Sequence, residues 1–200
     1  MIILICIKGG KILSKSLGTL TPNLVNELNG CIVVLDTETT GYSQYNDRII
    51  EFGGIKLQNG KKIDSLSFLI NPGFKMNPRV IDIHGITDDM VKNEPKEDYF
   101  VPKLVEFFKG VDIIVGHNVS FDIRFLSETF RRCGYNFECN YVDTLSCAKI
   151  LVKETENYKL GTLAKYFNIA TPNAHRALAD VETTIMLLRY LCYETMKKYA

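Results

Sequence analysis

Two hydrophobic rhythms divide the chain. The first half carries β-branched runs, "CIVVLDTET" at 31–39, "RIIEFGGIKL" at 48–57 and "DSLSFLI" at 64–70. Such runs predict strands. Asn59 and Gly60 stand between the second and third runs and supply the two positive-φ positions of a type I′ turn, so an antiparallel meander is expected. Past residue 100 the period lengthens. Pro102–Phe108, closed by Gly110, reads as a helix, and "VDIIVG" as a short buried strand. Phe121–Cys133, closed by Gly134, predicts a helix with Phe121, Phe125, Leu126 and Phe130 on a shared face. "NYVDTL" predicts another strand, followed by helices through "SCAKIL" and "KLGTLAKYF". A last long helix runs from about His175, with Val181, Ile185, Leu188 and Leu191 inside.

Residues 1–30 read as an N-terminal extension: a strand over "MIILICI", a Gly/Lys turn, and a short helix. Thr21 is the expected N-cap, Pro22 the first helical residue and Gly30 the stop. The main domain is expected over residues 31–200. The order β-β-β-α-β-α-β-α-α predicts an α/β fold. Three antiparallel strands lead into parallel α/β crossovers, giving a mixed sheet flanked by helices.

Composition adds bounds. A length of 200 residues suits one domain, or one with an extension. A net charge of +1 argues against an extended electrostatic footprint on long nucleic acid, yet it allows a small site gripping a few nucleotides around a metal. The six cysteines form no CxxC pair and no zinc-spaced cluster. Reduced thiols are expected, which fits a cytoplasmic protein. "MIILICI" is too short to span a bilayer, so no membrane partner is expected.

The chemistry gathers at acids. Asp36 and Glu38 stand at i and i+2 on a strand and project from one face. They repel each other unless a cation lies between them, and hard divalent cations take oxygen ligands. Asp122 falls in the first turn of an apolar helix, and Asp180 in the last helix. His175, on the loop or first turn before Asp180, has an ordinary pKa of about 6.5, suited to proton abstraction. Each taken alone has a plain structural explanation: solvated acids at a strand end, an acid favouring a helix dipole, a surface histidine. Together, four acids and a histidine from separate segments are what two-metal phosphodiester hydrolysis needs, with ions about 4 Å apart. Asp143, also at a strand end, is expected to be structural or outer-shell.

At this point a resemblance is plain. "DTETTG" at 36–41, "HNVSFD" at 117–122 and "HRALAD" at 175–180 are similar, in order and spacing, to the three motifs of the DEDDh (DnaQ-like) 3′–5′ exonucleases. "INP" and "IHGIT" lie between them, and the likeness covers about residues 31–192. The chain looks most like the proofreading exonucleases of bacterial DNA polymerase III. The predicted element order is compatible with the ribonuclease H-like sheet of that family. The resemblance implies two Mg²⁺ or Mn²⁺ ions on Asp36, Glu38, Asp122 and Asp180, with His175 as general base. A sister subfamily carries Tyr four residues before its last acid; here that position is Arg176, so the histidine form fits. Thr39, Thr40, Ile83 and His84 are implied contacts to the terminal nucleotide, with His117, Asn118 and Phe121 flanking it. His84 and His117 also have an ordinary reading as packing or capping residues. Arg124 stands where many relatives have a small residue.

The implied function is metal-dependent 3′–5′ cleavage of single-stranded or frayed 3′ ends of DNA to nucleoside 5′-monophosphates. Three alternatives stand beside it. One is an exoribonuclease that trims RNA by the same chemistry, and another is a polymerase-associated assembly subunit that docks through residues 1–30. The third, a binding module without activity, should have lost ligands, and none is missing. A DNA polymerase is therefore an expected partner class. No polymerase-binding tail or clamp-binding peptide is expected after the last helix.

Overall fold

The computed structural model describes residues 14–171 and 176–200. The strand expected over "MIILICI" and the histidine at 175 lie outside the described residues. Six strands form one sheet: β1 (Lys15–Ser16), β2 (Cys31–Thr39), β3 (Ile49–Gln58), β4 (Lys61–Leu69), β5 (Ile113–Gly116) and β6 (Asn140–Asp143). Their spatial order is β1-β6-β5-β2-β3-β4. The β2–β3 and β3–β4 pairs are antiparallel, whereas β2–β5, β5–β6 and β1–β6 are parallel. The expected mixed α/β sheet is the one observed. The hairpin turn takes the expected form, with Asn59 at φ 52° and Gly60 at φ 68°.

Helices cover both faces. α1 (Pro22–Glu27), α6 (Thr144–Leu151), α7 (Leu160–Tyr166) and α8 (Ala177–Tyr199) pack on one side. There Ile32, Val34, Ile55 and Val115 of the sheet meet Leu24, Cys147, Leu163, Val181, Leu187 and Leu191. α4 (Glu97–Phe107) and α5 (Ser120–Arg132) pack on the other, where Val33, Leu35, Phe52 and Ile114 meet Leu104, Phe107, Phe125 and Phe130. Alternate residues of β2 thus feed opposite cores, as strand geometry requires. No helix among the described residues is long and apolar enough to cross a membrane.

Three local differences from the sequence reading have physical causes. α4 begins at Glu97 and carries Pro102 inside it. Glu97 and Asp98 favour the positive end of the helix, and burial of Phe100, Val101, Leu104 and Phe107 outweighs the missing proline N–H. α2 (Pro78–His84) and α3 (Asp88–Val91) fall in a stretch read without helices. The signals for α2 are local: the Asn77 side chain caps by accepting from the Arg79 N–H, Pro78 opens the helix, and Gly85 closes it at φ 72°. β1 has only two residues and exists because β6 offers it an edge.

The short α1 starts as expected, with Thr21 accepting from the Leu24 N–H at 3.2 Å and Pro22 next. Leu28 caps its end, and Gly30 follows in a turn. Leu20, Leu24 and Leu28 are buried in the α8-side core. The five cysteines among the described residues are free thiols.

Candidate active site

The C-terminal end of β2 holds the first two acids. Asp36 pairs across the ladder with Gly53, and Glu38 with Glu51. A register shift follows Glu38, ending the regular ladder at the acids. Both side chains lie on the α8 face, in line with Ile32 and Val34. α8 brings Asp180 to them from its first turn. One carboxylate oxygen from each of Asp36, Glu38 and Asp180 lies within 4.8 Å of the other two, and all three residues are half-buried. Three negatively charged oxygens this close suit a hard divalent cation.

Asp122 is buried at the start of α5 and reaches the same region from the opposite face. Thr37, which points between Asp36 and Glu38 to that other side, donates to Asp122 Oδ1 twice. Its hydroxyl lies at 2.7 Å and its backbone N–H at 3.0 Å. Asp122 is therefore not a member of the three-carboxylate group, but a carboxylate next to it with one oxygen already engaged.

Electrostatics mark the cluster. Burial, then repulsion from Asp122, Glu38 and Asp180, pushes the Asp36 carboxyl well above the usual range. Burial and repulsion from Asp180 push Glu38 up to about 8. Burial raises Asp122 to about 7 against the two Thr37 hydrogen bonds, which favour its charged form. Acids raised in this way keep their protons to higher pH than ordinary carboxyls, and a cation bound among them would displace those protons.

Around the acids the remaining sequence candidates fall into distinct settings. Thr39 donates its hydroxyl to the Gly41 carbonyl at 2.7 Å. Thr40 donates to Asp47 at 3.0 Å and accepts from the Arg48 N–H. These bonds shape the loop after β2. Ile83 is 51 % exposed near the end of α2, whereas His84 beside it is buried. His84 Nδ1 accepts from the Ile86 N–H at 3.0 Å, so the neutral ring carries its proton on Nε2. That Nε2 is buried with no partner among the described residues, and burial favours the neutral ring by lowering its pKa. A neutral buried donor without an acceptor is ready for a ligand oxygen or nitrogen.

His117 differs, because both ring nitrogens are engaged. Nε2 lies 2.8 Å from the Tyr158 carbonyl and Nδ1 lies 3.0 Å from the Thr144 hydroxyl. Asn118 is exposed at φ 62°, and its backbone N–H donates to Asp143 Oδ1 at 2.8 Å. Asp143 also accepts from the Leu145 N–H as N-cap of α6, the structural role expected of it. Phe121 is half-buried against Phe125, with the Arg124 guanidinium 5.9 Å from its ring centre.

Sequence reasoning passed over two residues that set the position of Asp180. Glu51 is 2 % exposed and accepts from Arg176 Nε at 2.9 Å and Nη2 at 2.7 Å. Its other oxygen accepts from the Ala177 N–H at 3.0 Å. Gly53 lies under the same helix start: a Cβ there would sit 2.6 Å from the Ala177 carbonyl carbon and 2.6 Å from the Leu178 nitrogen. The "GG" in "IIEFGG" was the one available signal, since glycine inside a strand marks close backbone approach.

The profile of the RNase_T exonuclease family matches residues 33–188. The chain belongs to that exonuclease family. As a family member it is a nuclease, and the DnaQ-like resemblance of its three motifs holds. Among curated relatives, the PolC-type DNA polymerase III of Caldanaerobacter subterraneus subsp. tengcongensis is 38 % identical over 157 residues, covering 78 % of this chain and 11 % of that protein. The PolC-type enzyme of Lacticaseibacillus paracasei is 41 % identical over 168 residues, covering 84 % of this chain and 12 % of that protein. The chain thus spans only about a tenth of the length of these polymerases. Among solved structures, exonuclease X in complex with 5′-overhanging duplex DNA is 28 % identical with a TM-score of 0.67, covering 82 % of this chain and 93 % of that one. Escherichia coli exonuclease I in complex with a dT13 oligonucleotide shares the fold, with a TM-score of 0.75 at 23 % identity, covering 85 % of this chain and 42 % of that one.

Proposed function

We propose that this RNase_T exonuclease is a divalent-metal-dependent 3′–5′ exonuclease. It removes nucleoside 5′-monophosphates from single-stranded or frayed 3′ ends of DNA, in the service of a DNA polymerase. The carboxylate triangle of Asp36, Glu38 and Asp180 carries this reading. Its donor set is all hard oxygen, which fits Mg²⁺ or Mn²⁺. Asp36, Glu38 and Asp180 would hold one ion, and Asp122 beside them would help to hold a second. Bound there, the ions supply Lewis acidity toward the phosphodiester and its attacking water.

The chain's own groups do the rest. His175 takes a proton from the water at a ring nitrogen, the role its motif implies. His84 donates its free Nε2–H to the terminal nucleotide, and Ile83 covers that nucleotide with apolar surface. Thr39 and Thr40 shape the loop beneath it, while Asn118 and Phe121 flank it. His117 holds that flank in place. The polymerase names of the relatives favour DNA over RNA as the substrate.

A 5′-labelled single-stranded DNA oligomer tests the proposal. In Mg²⁺ or Mn²⁺ it should shorten stepwise from its 3′ end, stop in chelator, and fail with Asp180→Asn. A matched RNA oligomer run in parallel should shorten more slowly. Absence of metal-dependent shortening, or equal rates with Asp180→Asn, overturns the proposal; faster RNA cleavage overturns its DNA preference.

A further inference from the structure

Two cavities meet at one wall beside the acids. The first, about 260 Å³, is lined by Asp36, Asp180, Thr183 and Gly161 together with His117, Lys159 and Leu160. The second, about 570 Å³, is lined by Asn118, Leu145, Lys149 and Tyr158, and shares His117, Lys159 and Leu160 with the first. Lys159 is the one lysine or arginine lining the acid cavity among the described residues. Its side chain is exposed, and no carboxylate pairs with it among the described residues.

The backbone beneath Lys159 is fixed from both sides. His117 Nε2 holds the preceding Tyr158 carbonyl at 2.8 Å, and the Lys159 N–H donates to Asn157 Oδ1 at 3.0 Å. The charged end is free while its base is tied down. A single strand whose terminal nucleotide sits at the acids must leave the acid cavity with one phosphate per further nucleotide. The adjoining cavity shares His117, Lys159 and Leu160 with it. Besides Lys159 its lining offers the cation Lys149 and the amides of Asn118 and Asn157, against one acid, Glu156. With a net charge of only +1, attraction for a polyanion has to be local. The reacting phosphate faces the carboxylates, where divalent ions supply the positive charge. A lysine on the wall shared by the two cavities is placed to meet the next phosphate along.

We propose that Lys159 binds the phosphodiester immediately 5′ of the scissile one, and that the cavity behind it takes the strand leading away. This rests on the exonuclease reading above. The test follows log(kcat/KM) against log[KCl] for single-stranded DNA oligomers with the parent, Lys159→Met and Lys159→Arg. One lost phosphate contact should flatten the salt slope by about 0.7 and raise KM about tenfold near physiological salt, and arginine should restore both. The p-nitrophenyl ester of thymidine 5′-monophosphate carries one phosphodiester and no second phosphate. The loss on that ester should be about tenfold smaller than on oligomers. An unchanged salt slope, or equal losses on ester and oligomer, overturns the Lys159 assignment and leaves the exonuclease reading standing. A parent that hydrolyses neither substrate in Mg²⁺ or Mn²⁺ overturns both.

Discussion

Glu51 on β3 and Ala177 at the first residue of α8 are joined by a hydrogen bond of 3.0 Å from the Ala177 N–H to the Glu51 carboxylate. The same carboxylate is gripped by Arg176, and the Asp180 N–H bonds back to the Arg176 carbonyl at 3.0 Å. Glu51 therefore fixes the turn of helix that presents Asp180 to Asp36 and Glu38. It is a carboxylate inside an acid cluster whose lone pairs serve positioning.

Glu51→Ala should cost about 2 kcal/mol, because a buried helix N–H loses its acceptor. Denaturant unfolding reads that loss. The positioning role adds a second expectation. Glu51→Gln, which keeps one acceptor oxygen, should fold better than Glu51→Ala and still bind Mn²⁺ several-fold more weakly than the parent. Titration calorimetry would check this, and unchanged Mn²⁺ affinity in both variants would show that Glu51 serves the fold alone.

Gly53→Ala tests the same helix start by steric means. The new Cβ meets backbone atoms at 2.6 Å, and backbone cannot swing aside as a side chain does. An overpacking cost of about 1 to 3 kcal/mol is expected. A control at Gly161, where a Cβ meets nothing within 4 Å, should instead stabilise by up to about 1 kcal/mol, because that glycine lies in a helix. Thermal unfolding of the two variants side by side is the measurement.

These two residues also show where sequence legibility ends. The β-branched runs, the Asn59–Gly60 turn and the apolar face of α5 are local signals, and each produced the element it predicts. Asp36, Glu38 and Asp180 were legible as a group because, although each alone has a plain structural explanation, their three motifs together match a known pattern in order and spacing. Glu51 and Thr37 were not, since each looks like an ordinary strand residue until the chain folds. Glu51 finds its partner 126 residues away, and Thr37 finds Asp122 85 residues away. α2 was missed for a different reason. Its cap, proline and glycine were readable, but the helix is only seven residues long and offers little apolar period.

The raised acids give a pH dependence with a definite sign. Glu38 moves from 4.5 up to about 8, and Asp122 from 3.8 up to about 7. A carboxyl that binds its proton more tightly folded than unfolded adds stability below its unfolded pKa. That contribution is lost as pH rises through the folded value. Metal-free protein should therefore melt at progressively lower temperature from about pH 5 to pH 8, and Glu38→Gln should flatten the decline. Mg²⁺ should restore the parent most at the alkaline end, because the ion replaces protons the acids no longer hold. Melting curves across that range, with chelator and with Mg²⁺, check the sign. A metal-free protein that grows more stable from pH 5 to 8 would refute it.

Thr37→Val separates the acid next to the triangle from the triangle itself. The valine keeps the strand backbone N–H to Asp122 but removes the hydroxyl donor at 2.7 Å. That hydroxyl favours charged Asp122, so its loss should push the Asp122 pKa further up. The acid limb of kcat/KM against pH should shift to higher pH, and Thr37→Ser should bring it back. Asp36, Glu38 and Asp180 lose no hydrogen bond in this variant. Mn²⁺ affinity at pH 8.5 should therefore stay within about twofold of the parent, while activity at pH 6.5 falls about tenfold. If instead both fall together and serine rescues neither, Thr37 acts on the strand as a whole and the separate role of Asp122 is lost with it.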